Sequence, residues 1–295
     1  MRSFSGKKKE IKMKSGIVII DKEKNATSQT VVSKVKKILD VKKAGHIGTL
    51  DPLATGVLPV LVGEATKLSK YLMEHDKTYR ATVKLGVKKD TGDDEGVVVQ
   101  RAEVGFLDEK MIANVLKEME GKQKQAPHQF SAVKINGKKL YEYARKGEKI
   151  EIPKRDIEIY STQILNINQK EKEISFEIAC SKGTYIRVFC EDFAEKIGTV
   201  GFMKDLRRTK VGEFSIQNAV TLEKLNLSNL ISVEKLAQNY GKIELNDRKL
   251  ELFLNGVMLK ILEKDGLYRV YNKQKFIGLG ILKDEKLKRD IVITK

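Results

Sequence analysis

One short stretch of the sequence places an aspartate, a proline and a histidine among three glycines, and its residues 45–56 read GHIGTLDPLATG. Glycine allows the backbone to adopt positive φ angles or to approach other groups closely. Pro52 restricts its own backbone and that of the preceding residue, Asp51. A carboxylate held rigidly in a tight loop suits a nucleophile or a general base. On spacing alone, Asp51 could equally cap the following turn, and His46 could be a structural hydrogen-bonding residue.

A second candidate segment is KTYR at residues 77–80, in which Lys77 and Arg80 lie on either side of the aromatic residue Tyr79. An aromatic ring beside cations can stack on an RNA base while the cations contact phosphates. Apolar side chains alternate over residues 79–85, so the same tyrosine also fits the buried face of a strand. The two interpretations agree if Tyr79 lies where the core opens into a cleft.

A third segment, SKGTYIR at residues 181–187, runs from the end of a predicted strand into a helix that Thr184 is expected to cap. A helix N-terminus that carries Lys182 and Arg187 is suited to binding an anion. Alternatively, Arg187 could form an ordinary ion pair with Glu191, one turn along the helix.

Several other kinds of site find little support in the sequence. The glycine-rich loop lacks the GK[ST] ending of a nucleotide-binding P-loop. The two cysteines, Cys180 and Cys190, have neither CxxC spacing nor a neighbouring histidine, so we expect neither a zinc site nor a disulfide framework. A two-carboxylate glycosidase site is not excluded, although no second acid stands out beside Asp51. We therefore expect no metal, no nucleotide cofactor and no other cofactor.

The chain has 295 residues, a formal net charge of +17 and a pI near 9.6. A folded protein this basic usually binds a polyanion such as nucleic acid or an acidic membrane surface, although abundant lysine can also simply maintain solubility. No segment approaches the roughly 18 apolar residues of a membrane span, and the N-terminus lacks the apolar core of a signal peptide. We therefore expect a cytoplasmic protein without membrane contact, whose residues 1–14 form a disordered basic tail.

The remaining pattern predicts the elements that position these segments. Residues 16–21 are an apolar run typical of a buried strand, and residues 31–39 carry apolar side chains at helical spacing. Half-buried strands are predicted by the alternating segments at 79–85, 157–164 and 174–180. From about residue 242, short strands with glycine turns predict a small all-β domain. The predicted fold is α+β, with a large mixed sheet, helices and this small domain.

The longer segment GHIGTLDPLATGVLP, at residues 45–59, resembles the signature of the bacterial tRNA pseudouridine-55 synthases of the TruB type. The resemblance covers roughly residues 15–225, because further family-like segments occur in the family's order: GIVIIDK, KTYRA, QAP with FSA, GKKLYEYAR, CSKGTYIR and LRRT. This chain departs from the family pattern in two places. The family usually has Lys-Pro-x-Gly where this chain has KEKN, beginning at Lys22, and it often has a tyrosine where this chain has Phe130. The C-terminal part is similar to the family's small PUA-like RNA-binding domain in its position and in its pattern of short predicted strands with glycine turns.

The resemblance implies a pseudouridine synthase fold, with a mixed, largely antiparallel sheet and flanking helices over residues 15–240 and a PUA-like domain over residues 241–295. It implies an isomerase that acts on the T-loop uridine at position 55 of tRNA. Such an enzyme flips the base out, cleaves the glycosidic bond with the help of an aspartate, and rejoins base and sugar through a carbon–carbon bond. The implied partner is the T arm of tRNA, the implied state is a monomer, and no cofactor is required.

The resemblance also implies roles for individual residues. Asp51 would be the catalytic aspartate, Arg187 would pair with it, and Tyr79 would stack on the target uracil and assist proton transfer. His46 would contact the RNA and hold the loop opened by base flipping, and Leu206 would line the pocket. The other expected substrate-binding residues are Gly48, Thr49, Lys77 and Tyr185.

Two other functions remain compatible with the residues. A non-catalytic RNA-binding or RNA-folding protein would keep the basic surface and Tyr79 but would have no use for Asp51, so this aspartate favours catalysis. A hydrolase of glycosidic bonds in nucleic acid would need an activated water and usually a second acid. An abasic product would distinguish that hydrolase.

Overall fold

The computed structural model describes residues 14–293 apart from 74, 132 and 149. The basic tail predicted at residues 1–14 lies outside the described residues, except for Lys14. The Lys14 ammonium donates a 2.8 Å hydrogen bond to the carbonyl of Leu39.

The α-helices of the described residues are short. They are α1 (Ser28–Leu39), α2 (Ser69–Leu72), α3 (Glu109–Glu118), α4 (Leu140–Arg145), α5 (Ile186–Lys196), α6 (Val233–Leu236) and α7 (Asp247–Leu254). Short 3₁₀ segments lie at Gly63–Leu68, Ile216–Asn218 and Leu227–Asn229. None of the described helices has the length and apolar character needed to cross a membrane.

Strands make up most of the regular structure. Those before the C-terminal unit are β1 (Gly16–Lys22), β2 (Ala44–His46), β3 (Thr55–Val62), β4 (Lys77–Leu85), β5 (Val87–Lys89), β6 (Val98–Arg101), β7 (Gly121–Gln125), β8 (Lys134–Ile135), β9 (Lys138–Lys139), β10 (Arg155–Asn168), β11 (Glu173–Cys180), β12 (Gly201–Val211), β13 (Phe214–Ser215) and β14 (Ile231–Ser232). The C-terminal strands are β15 (Gly241–Glu244), β16 (Leu259–Lys260), β17 (Gly266–Asn272), β18 (Lys275–Lys283) and β19 (Lys286–Val292).

The large sheet is mixed and largely antiparallel, which confirms the predicted fold class. Its strands lie in the order β14-β1-β3-β12-β4-β11-β10-β7, with β2 paired to β3 and β13 paired to β12. β3 and β12 run parallel, and the other neighbouring strands described in this sheet are antiparallel. The parallel junction joins the strand that follows the glycine-rich loop to the strand that carries the LRRT segment.

Gly56 allows this junction to close. It lies opposite Arg208 in the β3–β12 register and has a φ of +101°, a conformation that residues with a side chain rarely adopt. A Cβ atom at this position would lie 2.2 Å from the Arg208 carbonyl oxygen. The close approach of two backbones therefore requires the glycine.

Helix α5 covers the middle of the sheet with aromatic side chains. Phe176 of β11 packs against Phe189 and Phe193 of α5, with ring centroids 5.5 and 6.0 Å apart. All three rings are buried in the main hydrophobic cluster. Because this packing fixes α5 against the sheet, it also fixes the residues at the start of the helix, where the third candidate segment ends.

The starts of α1 and α5 are capped in different ways. The Thr27 hydroxyl accepts a 3.0 Å hydrogen bond from the backbone N–H of Thr30 and caps α1. The predicted cap of α5 is wrong, because the N-cap residue is Tyr185. The Thr184 hydroxyl instead donates to the carbonyl of Ser181 at 3.0 Å, so it closes the preceding turn.

The C-terminal unit is a five-stranded sheet in the order β15-β17-β18-β19-β16. The structure adds one helix to the predicted strands, because α7 buries Phe253 against this sheet. Leu279 of β18 and Ile291 of β19 belong to the same buried cluster as Ile17 and Leu61 of the large sheet. The C-terminal unit thus shares a hydrophobic core with the back of β1 and β3.

This shared core predicts unequal effects for two neighbouring positions of β18. Leu279→Ala should lower the free energy of unfolding by about 2–5 kcal/mol, because it leaves a cavity at a fully buried site. Ile281→Ala is the matched control, since Ile281 is 39% exposed on the same strand, and its cost should be much smaller. Urea denaturation measures both, and a Leu279→Ala loss no larger than the control loss would contradict the shared core.

Candidate active site

A cavity of about 590 Å³ lies between the glycine-rich loop, strands β4 and β12, the start of α5 and residues 130–141. A space of this size can hold a nucleoside-sized ligand. Among the residues that the sequence predicts for the site, those lining the cavity are Gly48, Thr49, Asp51, Lys77, Tyr79, Tyr185, Arg187 and Leu206. Segments that are far apart in the chain therefore converge on one space.

Buried side chains fix the backbone on both sides of Asp51. Before it, the Ser28 hydroxyl accepts a 2.9 Å hydrogen bond from the N–H of Leu50 and donates to the carbonyl of Leu50 at 3.0 Å. After it, the Lys22 ammonium donates to the carbonyl of Pro52 at 3.0 Å. These contacts hold the Asp51 side chain, which is 36% exposed, at the wall of the cavity.

Lys22 is an unusual anchor because its charge is buried. Its ammonium also donates to the carbonyls of Glu23 at 2.9 Å and Ala26 at 2.7 Å, and the residue is almost completely covered. Burial lowers the pKa of Lys22 from 10.5 to about 8. Although the KEKN turn departs from the family pattern, its first lysine still ties β1 to the glycine-rich loop.

Arg208 holds the other half of the loop. Its Nε donates to the Val57 carbonyl at 2.8 Å, Nη1 to the Thr49 carbonyl at 3.2 Å, and Nη2 to the Gly48 carbonyl at 3.0 Å. The side chain is buried, and a guanidinium suits three acceptors in different directions because its donors form a rigid planar fork. The sequence placed this residue only in the LRRT segment, and its role could not be predicted because its three acceptors lie more than 150 positions away.

Arg187 connects the carboxylate of Asp51 to the rest of the protein. Its Nε lies 3.2 Å from Asp51 Oδ2, and its Nη1 lies 3.4 Å from Asp93 Oδ2. The same guanidinium donates to the carbonyls of Thr91 at 3.0 Å and Phe130 at 3.2 Å. Its side chain is only 6% exposed, so Arg187 serves the cavity instead of a surface pair on its own helix.

Asp93 is a functional candidate that the sequence patterns missed. It is buried, and its Oδ1 accepts hydrogen bonds from the Thr91 hydroxyl at 2.6 Å and the backbone N–H of Glu95 at 3.2 Å. Burial raises the pKa of Asp93 above its usual value, and the Arg187 charge opposes that shift. The acidic, glycine-containing turn DTGDDEG at residues 90–96 was the available signal, but turns of this composition are common on protein surfaces.

Tyr79 occupies both environments that its position in the sequence allowed. It belongs to the main hydrophobic cluster, and it also lines the cavity. Burial raises the pKa of Tyr79, so the phenol keeps its proton at neutral pH. Lys77 lies two residues before Tyr79 on the same strand. Its pKa is lowered mainly by burial and secondly by the nearby charge of Arg208.

His46 does not line the cavity. It is the last residue of β2, and its backbone pairs with Val60 of β3. Burial, followed by the charge of Arg208, lowers the pKa of His46, so the imidazole is neutral at pH 7. Its Nδ1 is buried and has no hydrogen-bond partner among the described residues.

A second cavity of about 250 Å³ lies beside the first and shares Asp51, Phe130, Tyr141 and Arg187 with it. Its other walls are formed by Pro52, Thr91, Asp93, Glu95 and Arg145. The carboxylate of Asp51 therefore stands between two spaces, and the Arg187 guanidinium forms part of the partition.

Comparisons with known proteins identify the family. Residues 36–186 match the model described as TruB family pseudouridylate synthase (N terminal domain). Residues 187–251 match the tRNA pseudouridylate synthase B C-terminal domain, and residues 241–289 match the model described as Pseudouridine synthase II TruB, C-terminal. The chain belongs to the TruB family.

Relatives within this family match over nearly their whole length. The tRNA pseudouridine synthase B of Clostridium tetani is 41% identical over 95% of this chain and 99% of the relative. That of Aquifex aeolicus is also 41% identical, over 91% of this chain and 96% of the relative.

A solved structure supports the fold independently. The Cbf5-Nop10-Gar1 complex contains a chain that superposes with a TM-score of 0.67 over 97% of this chain and 86% of its own length. The two sequences are 24% identical, so the likeness concerns the fold.

Phe130, one of the departures from the TruB pattern, still contributes to the site. Phe130 lines the cavity, and its carbonyl accepts a hydrogen bond from Arg187. Because that contact uses the backbone, the absence of a tyrosine hydroxyl does not weaken the position of Arg187.

The Arg208 contacts predict that the loop loosens when the guanidinium is replaced. Arg208→Lys leaves a single nitrogen for three carbonyls, so we expect about 2–4 kcal/mol lower stability. Amide hydrogen exchange over residues 45–58 should also become faster. Arg207→Lys is the control, because Arg207 is 38% exposed and a lysine can keep its ion pair with Asp21. Equal exchange in the two variants would contradict the role assigned to Arg208.

Proposed function

We propose that this chain is a tRNA pseudouridine synthase that isomerises the T-loop uridine at position 55 of tRNA. The observation that carries the proposal is a partly exposed carboxylate, Asp51, held in the wall of a nucleoside-sized cavity by a buried arginine. Membership of the TruB family and the names of the relatives, tRNA pseudouridine synthase B, support tRNA as the substrate.

The reaction breaks the bond between ribose C1′ and uracil N1, turns the base, and joins C1′ to C5. The C5 proton leaves once the new bond has formed, and N1 gains a proton, so nothing is oxidised or reduced. Asp51 serves this reaction either by bonding to the nucleotide or by removing the C2′ proton. Both routes require a carboxylate that is held still, which Arg187, Ser28 and Lys22 provide.

The uridine must leave its stack to reach Asp51. Tyr79, at the wall of the cavity, supplies an aromatic surface for the flipped base, which offsets about 1–3 kcal/mol of lost stacking. Its protonated phenol is a hydrogen-bond donor close to the reacting base. Leu206 and Tyr185 complete the walls around the base, and Lys77 brings positive charge for the adjoining phosphate.

Binding of the T arm uses a wider surface than the cavity. We propose that Gly48 and Thr49 contact the RNA backbone and that His46 supports the RNA loop from which the base has flipped. Because the net charge is +17, electrostatic contacts with the RNA phosphates should contribute much of the binding free energy. The affinity for tRNA should therefore fall steeply as the salt concentration rises.

The proposal extends to the organisation of the protein. Residues 15–240 form the catalytic domain, and residues 241–295 act as a PUA-like RNA-binding domain, which the C-terminal family match supports. The protein works as a monomer in the cytoplasm, where its tRNA substrate lies.

The direct test uses an unmodified tRNA transcript tritiated at uracil C5, incubated with the purified protein alone. The unsubstituted chain should release tritium from one T-loop uridine. Asp51→Asn should release none, while binding tRNA within a few-fold of the unsubstituted affinity, because the amide keeps the shape of the side chain. Salt-sensitive binding without tritium release from any tRNA would contradict the proposal, and so would turnover by Asp51→Asn.

A further inference from the structure

One polar group in the wall of the cavity has no role in the reaction described above. Ser131 lines the cavity and is 5% exposed. Its Oγ is buried and has no hydrogen-bond partner among the described residues. A buried hydroxyl without a partner loses its hydration without compensation, and native proteins avoid this almost everywhere.

Two other hydroxyls at or beside the cavity, those of Ser28 and Thr184, are used by the protein. The Ser28 hydroxyl holds both backbone groups of Leu50, and the Thr184 hydroxyl donates to the Ser181 carbonyl. Ser131 therefore differs from these two residues, because it lines the cavity while its buried hydroxyl has no hydrogen-bond partner among the described residues.

The position of Ser131 is fixed relative to Asp51. The Phe130 carbonyl, which belongs to the peptide bond that leads into Ser131, accepts the 3.2 Å hydrogen bond from Arg187. The carbonyl of Ser131 accepts a 3.1 Å hydrogen bond from the backbone N–H of Tyr141 at the start of α4. Because Arg187 is also 3.2 Å from Asp51, one guanidinium sets the positions of both the carboxylate and the segment that carries the hydroxyl.

We infer that the hydroxyl of Ser131 forms a hydrogen bond with the flipped-out uridine nucleotide, which makes Ser131 a further substrate-binding residue. This inference rests on the proposed function. A serine hydroxyl is one donor and two acceptors, so it can pair with a uracil carbonyl, with uracil N3–H or with a ribose hydroxyl. The nucleotide thus supplies the partner that the protein does not, and the cost of leaving the hydroxyl unpaired is recovered only on binding.

The test compares Ser131→Ala with the unsubstituted chain in two measurements. Single-turnover pseudouridine formation, at several protein concentrations in excess over tRNA, gives the maximal rate constant and the half-saturating concentration. Thermal unfolding of the free protein gives Tm. Ser33→Ala on the exposed side of α1 is the matched control, since it removes the same atom far from the cavity.

Ser131→Ala should lower the ratio of maximal rate constant to half-saturating concentration by about 3- to 10-fold, the range of one lost neutral hydrogen bond. Its Tm should equal or exceed that of the unsubstituted chain, because removing an unpaired buried hydroxyl costs the free protein nothing. The Ser33→Ala control should leave the kinetics unchanged.

Two results would overturn the inference while leaving the proposed function intact. One is unchanged kinetics in Ser131→Ala. The other is a loss of activity with a matching fall in Tm, which would make the hydroxyl structural. Failure of the proposed function looks different, because the unsubstituted chain would then form no pseudouridine.

Discussion

The guanidinium of Arg187 lies between two carboxylates, that of Asp51 at the cavity and that of Asp93 in the interior. A buried positive charge is tolerated only when opposite charge and hydrogen-bond acceptors surround it, and removing one partner is usually costly. Here two backbone carbonyls complete the set, at Thr91 and Phe130. Four separate segments must therefore reach the same point, and this requirement ties the wall of the cavity to the fold.

The large sheet provides the frame for this convergence. The parallel contact of β3 with β12 brings Arg208 beneath the glycine-rich loop, and Gly56 permits the close approach. Packing of α5 on β11 through phenylalanines places Arg187 at the start of the helix facing the same loop. Ser28 and Lys22 then fix the residues next to Asp51. The backbone on both sides of Asp51 is thus held, Arg187 contacts its carboxylate, and the side chain stays partly open to the cavity.

Sequence patterns predicted those features that depend on local order. Alternation of side chains identified strands such as β4 and β11, and the density of glycines identified the loop that carries Asp51. The double character of Tyr79, in the core and at a cleft, also followed from its strand position and its cationic neighbours.

Features that depend on long-range contact could not be predicted in this way. The pairing of Arg187 with Asp93 joins residues almost a hundred positions apart, and the local pattern offered Glu191 as an equally reasonable partner. Thr184 looked like a helix cap that accepts from the helix N–H groups, but its hydroxyl donates to the carbonyl of Ser181 in the preceding turn. Ser28 and Lys22 look like an ordinary cap and an ordinary surface lysine until the fold places the glycine-rich loop against them.

Arg187 and Asp93 act as one unit on the carboxylate of Asp51, and a double-mutant cycle measures whether they do. The variants are Asp93→Asn, Arg187→Lys and the double variant, compared by the single-turnover rate constant for pseudouridine formation at saturating protein. Each single change should slow the reaction by about 10- to 100-fold through misplacement of the carboxylate. We expect the double variant to be about as slow as the slower single variant, because both changes remove the same support. Losses that multiply in the double variant would contradict it, since the two residues would then act independently.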